Sequence, residues 1–262
     1  MTVEKLELKS NPGATLTAYL LDTSKEMPNM TDRPAVLVIP GGGYYMCSDR
    51  EAEPIAMAFA VHGYNTFVLR YTVGEGKDFK MPLADAEEAL TLIRERAEEW
   101  HVIKDKIAAI GFSAGAHLAA ALSTLSSTRP NACILGYPCI LSEISSILAF
   151  PVPSLEEHVD RNTPPTFIFG SASDKTVPII NSIKYAEALT KNEVPFEMHI
   201  FAKGWHGFSL CTPSVCDKPE SVIENARASQ WVKLCTDWLS DTFALGEMSV
   251  SYTHLRAHET KA

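Results

Sequence analysis

A five-residue stretch in mid-chain, Gly111-Phe112-Ser113-Ala114-Gly115, constrains the fold more than any other. The apolar run Lys106-Ile107-Ala108-Ala109-Ile110 precedes it, and a helix-forming run from His117 to Leu125 follows. G-x-S-x-G between a strand and a helix marks a sharp turn that lifts the serine hydroxyl above a sheet. Its glycines keep side chains out of a crowded bend. The plainer reading is a glycine-serine turn with Ser113 only capping a helix. The strand before and the helix after favour the sharp turn, and make Ser113 a candidate nucleophile.

Strand and helix patterns alternate on both sides of this turn. Leu16 to Leu21 reads as an early strand, hairpinned with Val3 to Lys9. Ala35-Val36-Leu37-Val38-Ile39 and Tyr64 to Tyr71 are continuous apolar runs, as expected of strands covered on both faces. Glu53 to Val61 is helical, and apolar residues at 83, 86, 90, 93 and 97 mark an amphipathic helix from Leu83 to Trp100. Cys133 to Tyr137, Thr166 to Phe169 and Glu197 to Phe201 continue the strands, Ile179 to Lys191 forms another helix, and Ser221 to Asp241 a closing one. Residues 138–163, broken by Pro138, Pro151 and Pro153, read as a short cap insertion. The alternation predicts an α/β fold with a mostly parallel central sheet and helices on both faces. Hydrophobic residues make up 46% of the 262, enough for one large core, so residues 1–248 are expected to form a single domain.

A serine on such a turn is followed along the chain by an acid and then a histidine. Asp174 lies just beyond the strand ending at Phe169, and His206, in Gly204-Trp205-His206-Gly207, just beyond the strand ending at Phe201. Both occupy carboxyl ends of strands, where a parallel sheet places its chemistry. His206 is expected to take the Ser113 proton and Asp174 to orient the imidazole. Acyl transfer also needs backbone N–H donors for the developing oxyanion. Pro40-Gly41-Gly42-Gly43 follows the strand ending at Ile39, so Gly42, Gly43 and Ala114 are the candidate donors. The glycine loop lacks both G-x-G-x-x-G and a G-K-[ST] ending, so it does not read as a phosphate cradle. Tyr44 and Tyr45, next to the loop, are candidate acyl-pocket residues, and His158 in the insertion a candidate substrate contact. Asp160 is the alternative acid and His117 the alternative base.

No H-E-x-x-H or cysteine spacing suggests a metal, and none is expected. The six cysteines read as reduced thiols. A net charge of -9 disfavours nucleic acid and anionic membranes as partners. The amino terminus lacks the apolar core of a signal peptide, which makes a cytoplasmic address the expectation. Residues 249–262 resemble the in-frame translation of a sequencing-library adapter and are set apart from the fold.

These motifs resemble the bacterial α/β-hydrolases related to acetyl-xylan and feruloyl esterases. The likeness is carried by Ile39-Pro40-Gly41-Gly42-Gly43-Tyr44, Arg50-Glu51 with Glu53-Pro54-Ile55-Ala56, and Gly63-Tyr64-Asn65 leading to Leu69-Arg70-Tyr71. It continues through Gly111 to Ala119, Thr163-Pro164-Pro165-Thr166-Phe167, Val177-Pro178 and Gly204-Trp205-His206-Gly207. The glycine loop departs from the lipase-type HGGG in having Pro40 where histidine stands. The resemblance implies an α/β-hydrolase fold and cofactor-free hydrolysis of small-acyl esters, such as those of xylan-derived oligosaccharides, by a serine-histidine-aspartate triad. Amide or peptide hydrolysis on the same residues is the alternative, and no partner beyond the substrate, except a second copy of the chain, is expected. Arg50 and Glu51 match a family position and are expected to brace the loop as an ion pair, with a substrate contact as the alternative. No paired-carboxylate glycosidase pattern is visible.

Overall fold

The computed structural model describes residues 1–216 and 218–245. Eight strands form one sheet: β1 (Thr2–Glu7), β2 (Thr15–Leu20), β3 (Arg33–Ile39), β4 (Asn65–Arg70), β5 (Val102–Phe112), β6 (Ala132–Gly136), β7 (Thr166–Ser171) and β8 (Phe196–Phe201). They lie in the order β1-β2-β4-β3-β5-β6-β7-β8. The β1–β2 hairpin joins antiparallel onto β4, and the remaining pairs are parallel. This is the α/β-hydrolase arrangement.

The central strands are buried on both faces, and their side chains sort by the period of two. From β3, Ala35, Leu37 and Ile39 join the core formed with helices α2 (Lys80–Glu95), α3 (Ala114–Thr124) and α4 (Ile180–Lys191). Val36 and Val38 enter the opposite core, with α1 (Glu53–Ala60) and α6 (Trp231–Thr242). Trp231 stacks on Phe169 at 4.3 Å, welding α6 to β7. Such pairs contribute about 0.5–1.5 kcal/mol beyond the area they bury.

The closing helix expected over Ser221 to Asp241 is broken. It consists of the short α5 (Pro219–Glu224), a 3-10 turn at Ala228–Gln230 and then α6. Asn225 terminates α5, and its side-chain oxygen accepts the Trp205 amide at 2.8 Å. Helical periodicity across that position gives way to a tertiary bond that holds the His206 loop. Between β6 and β7, two 3-10 turns (Ser142–Ile147 and Glu156–His158) replace a crossover helix. The segment lies over the glycine loop, where the Ala149 amide donates to the Gly43 carbonyl at 2.9 Å. No helix among the described residues is long and apolar enough to cross a membrane. The segment 249–262 lies outside the described residues.

Candidate active site

At the end of β5 the chain turns so tightly that neither flanking glycine tolerates a side chain. A Cβ on Gly111 would stand 2.2 Å from the Gly115 carbonyl oxygen, and one on Gly115 would stand 2.2 Å from that of Ile39. Ser113 itself sits at φ 53°, a conformation an L residue holds only when its surroundings enforce it. The Gly136 carbonyl accepts its amide at 2.9 Å, while its own carbonyl accepts the amides of His117 and Cys139. The strain aims Oγ at the loops beyond the sheet.

There Oγ lies 2.8 Å from Nε2 of His206, and Nδ1 of His206 lies 2.7 Å from Oδ2 of Asp174. A buried carboxylate can only accept, so Nδ1 carries the proton and Nε2 is left to accept the Ser113 hydroxyl. Oδ1 of Asp174 is held by the amides of Thr176 (2.8 Å) and Val177 (3.0 Å), which fixes the carboxylate's rotation. The histidine loop is pinned through Trp205 to Asn225 and through the Ser209 carbonyl, which accepts Nε1 of Trp231 at 2.8 Å.

The glycine loop forms the facing wall. Gly42 and Gly43 sit at φ 124° and 63°, and among the described residues neither amide nor that of Ala114 donates to a protein acceptor. Buried or half-buried free N–H groups are uncommon; Gly42, Gly43 and Ser113 line one cavity, and Ala114 follows Ser113 in the chain. The first glycine is different: its amide donates to Oε2 of Glu51 at 2.9 Å. A cavity of about 260 Å³ opens between Gly42, Gly43, Ser113, Cys139, Leu148 and His206, with Arg50 and Gly207 on its rim.

Two substrate-contact expectations, Tyr44 and His158, and the expected Arg50–Glu51 ion pair require correction. Tyr44 does not line the cavity; at φ 62° its ring turns into the core, where its hydroxyl meets Nδ1 of His117 at 3.0 Å. Tyr45 stands beside the cavity, half-exposed, with its hydroxyl donating to the Leu148 carbonyl at 3.2 Å. His158 is exposed on a 3-10 turn packed against α4 and does not line the cavity. Arg50 and Glu51 form no ion pair. Glu51 is buried and accepts from Gly41 and from the Tyr137 hydroxyl at 2.6 Å, while Arg50 reaches toward Gly207 with no carboxylate partner among the described residues. Burial pushes the Glu51 carboxyl above its ordinary value, opposed by those two hydrogen bonds and by the nearby His206 and Arg50. Sequence reasoning missed Tyr137 and Asn225 altogether.

The rival groups are committed elsewhere. His117 is wholly buried between the Tyr44 hydroxyl and the Pro153 carbonyl, and burial holds its imidazole down at about 4. Asp160 makes a two-toothed contact with Arg129, which keeps its carboxyl below the usual range. No cluster of three potential metal ligands occurs among the described residues.

A solved structure of an α/β-hydrolase enzyme from a Medee basin deep-sea metagenome library superimposes with a TM-score of 0.86 and 44% identity, over 92% of this chain and 98% of that one. The chain belongs to the α/β-hydrolase family. The BD-FAE family model matches residues 21–146, and the prolyl oligopeptidase family model matches residues 149–243. The carboxylesterase Cest-2923 from Lactobacillus plantarum shares the fold at a TM-score of 0.83 and 27% identity, over 92% of this chain and 98% of that one. Among curated relatives, endo-1,4-beta-xylanase B of Butyrivibrio fibrisolvens is 36% identical over 68% of this chain, and acetylxylan esterase of Xylanibacter ruminicola is 30% identical over 71%. The chain spans only 33% and 43% of those two proteins' own lengths.

Proposed function

We propose that this α/β-hydrolase is a serine carboxylesterase acting on small-acyl esters. The observation that carries the reading is the continuous hydrogen-bond line from Ser113 through His206 to Asp174, at 2.8 and 2.7 Å, opening on a small cavity. His206 Nε2 removes the hydroxyl proton as Ser113 Oγ attacks the ester carbonyl, and Asp174 supports the resulting imidazolium. The free amides of Gly42, Gly43 and Ala114 receive the carbonyl oxygen as it becomes negative. The imidazolium returns its proton to the leaving alcohol; water then adds to the acyl-enzyme by the same steps in reverse, releasing the acid. No metal or cofactor has a place in this sequence.

Leu148, Ile147 and Cys139 line the cavity, and its volume of about 260 Å³ favours an acetyl-sized acyl group over a long chain. The likeness to an acetylxylan esterase supports an acetylated xylan-derived oligosaccharide as the alcohol side. A cytoplasmic address would suit short oligosaccharides better than the polymer.

Hydrolysis of p-nitrophenyl acetate, butyrate and octanoate beside Ser113→Ala tests the reading. Acetate is expected to be the best substrate, with the variant losing at least about a thousandfold in kcat. An unaffected variant sinks the mechanism, and a preference for octanoate sinks the small-acyl assignment. One observation favours a second reading, amide cleavage: the prolyl oligopeptidase match spans both Asp174 and His206. Matched ester and anilide substrates separate the two, since faster anilide cleavage would replace esterase by amidase.

A further inference from the structure

Glu51 is a buried acid that the proposed hydrolysis does not use, and it sits at the centre of the site. It is only 3% exposed. Oε2 accepts the Gly41 amide at 2.9 Å, and Oε1 accepts the Tyr137 hydroxyl at 2.6 Å. The Tyr137 oxygen in turn accepts the Ser209 amide at 3.2 Å, so its proton is free to point at Glu51. Both carboxylate oxygens thus face donors, the pattern of an ionised group.

Its position ties three parts of the site together. The Cβ position of Gly41 lies 2.6 Å from Oε2 and 3.2 Å from Cβ of Ser113, so the carboxylate, the first loop glycine and the nucleophile are neighbours. Oε1 lies 4.0 Å from the Cβ position of Gly207, the residue after His206. Tyr137 packs edge-on against the His206 ring at 5.2 Å between centroids. The charged and titratable groups around Glu51 are Arg50, Tyr71, Tyr137 and His206, with Asp174 beyond the imidazole and Cys139 beside Ser113. Tyr71, Tyr137 and Cys139 are all pushed upward by burial and stay neutral, leaving Arg50 as the one fixed cation nearby among the described residues.

We propose that Glu51 is a positioning residue for the hydrolysis: it clamps the Gly41 amide, fixing the loop that carries Gly42 and Gly43, and sets a second negative charge beside the His206 imidazole. The inference rests on the esterase reading. An oxyanion hole is effective only when its donors are fixed before the charge develops, and a loop of three glycines is not fixed by its own side chains. The charge acts on the other partner, favouring the imidazolium that forms as Ser113 is deprotonated. Asp174 fixes the tautomer through Nδ1, whereas Glu51 makes no hydrogen bond to the ring and acts only through space.

The test is Glu51→Gln, which keeps the shape and an acceptor for Gly41 while removing the charge. With p-nitrophenyl acetate, kcat should fall about tenfold with KM changed less than about twofold. The acid limb of the kcat/KM profile should move to lower pH by about half a unit or more, because an imidazolium without its second anion forms less readily. A folded variant with lowered kcat and an unmoved limb would overturn the charge role, and wild-type kcat would overturn the proposal. Should Glu51→Gln fail to fold, Glu51→Asp keeps the charge but withdraws it from Gly41, and wild-type kcat in that variant would equally overturn it. Ser113→Ala in the same assay keeps the two claims apart. Activity surviving there refutes the esterase mechanism, whereas a dead Ser113→Ala beside an unaffected Glu51→Gln refutes only this inference.

Discussion

Consider alanine at Gly115, the second glycine of the turn. Its Cβ would lie 2.2 Å from the Ile39 carbonyl oxygen and 2.3 Å from that of Pro40, where ordinary contact begins at 3.4 Å. The first turn of α3 must therefore retreat about 1 Å from the end of β3, and both obstructing atoms are backbone that cannot rotate away. Overpacking of this kind costs about 1–3 kcal/mol, and rigid partners place it at the upper end. At roughly 2–4 °C per kcal/mol for a chain of this size, Tm should fall by about 6–12 °C. The retreat also separates Ala114 from Gly42 and Gly43, and a misplacement of about 1 Å costs on the order of a hundredfold in rate. Scanning calorimetry with kcat for p-nitrophenyl acetate measures both. Gly13→Ala is the control: φ is +85° there with nothing within 4 Å, so only a backbone cost of about 1 kcal/mol is expected, with activity intact. A Gly115→Ala protein within about 2 °C and twofold of the wild type would refute the crowding argument.

Asp174→Asn should keep the fold but reduce kcat by about 10³–10⁴, since an amide no longer dictates which ring nitrogen carries the proton; a loss under tenfold would reassign the acid. Burial holds His117 at about 4 against an ordinary 6.5, so the unfolded chain binds its proton first as pH falls. The titration contributes nothing above pH 6.5 and costs the native state up to about 3 kcal/mol as pH falls toward 4. Tm should decline through that window, and an equally steep decline in His117→Gln would assign the effect elsewhere. Burial pushes the Cys139 thiol up to about 12, so iodoacetamide at neutral pH should leave p-nitrophenyl acetate hydrolysis unchanged, although Sγ lies 3.9 Å from Ser113 Oγ; rapid inactivation blocked by Cys139→Ala would contradict this. Removing residues 249–262 should change neither Tm nor kcat, and a loss of either would make the tail part of the domain.

Much of the site was legible because its constraints are local. The crowding at Gly111 and Gly115 dictates glycine, the order of serine, acid and histidine follows the order of the strands, and each strand end announces its loop. Side-chain direction in a loop without periodicity is not written that way. Tyr44 and Tyr45 are adjacent and alike, yet a positive φ at the first sends its ring inward while the second stays half-exposed. Glu51 beside Arg50 suggested a pair by charge alone; burial instead gave the carboxylate neutral donors from Gly41 and Tyr137, distant by 10 and 86 residues. The break at Asn225 was hidden for the same reason, its partner Trp205 lying 20 residues away.

The stretch joining β6 to β7 departs from the usual parallel crossover, which spends a helix covering the sheet. Here Cys139, Ile147 and Leu148 from that stretch wall the cavity directly, while the strands on either side keep their own pairing. Tolerance to change is therefore divided by location. Residues packed against β3 and the serine turn cannot shift without loss, and within the connection Ala149, bonded to the Gly43 carbonyl, and the buried Leu148, Phe150, Val152 and Leu155 are held as firmly, whereas Ser142, Glu143, Ser146 and Ile147 are exposed. Among the cavity walls, the exposed Ile147 is therefore the position at which substitution is expected to change substrate preference without disturbing the core or the reacting groups.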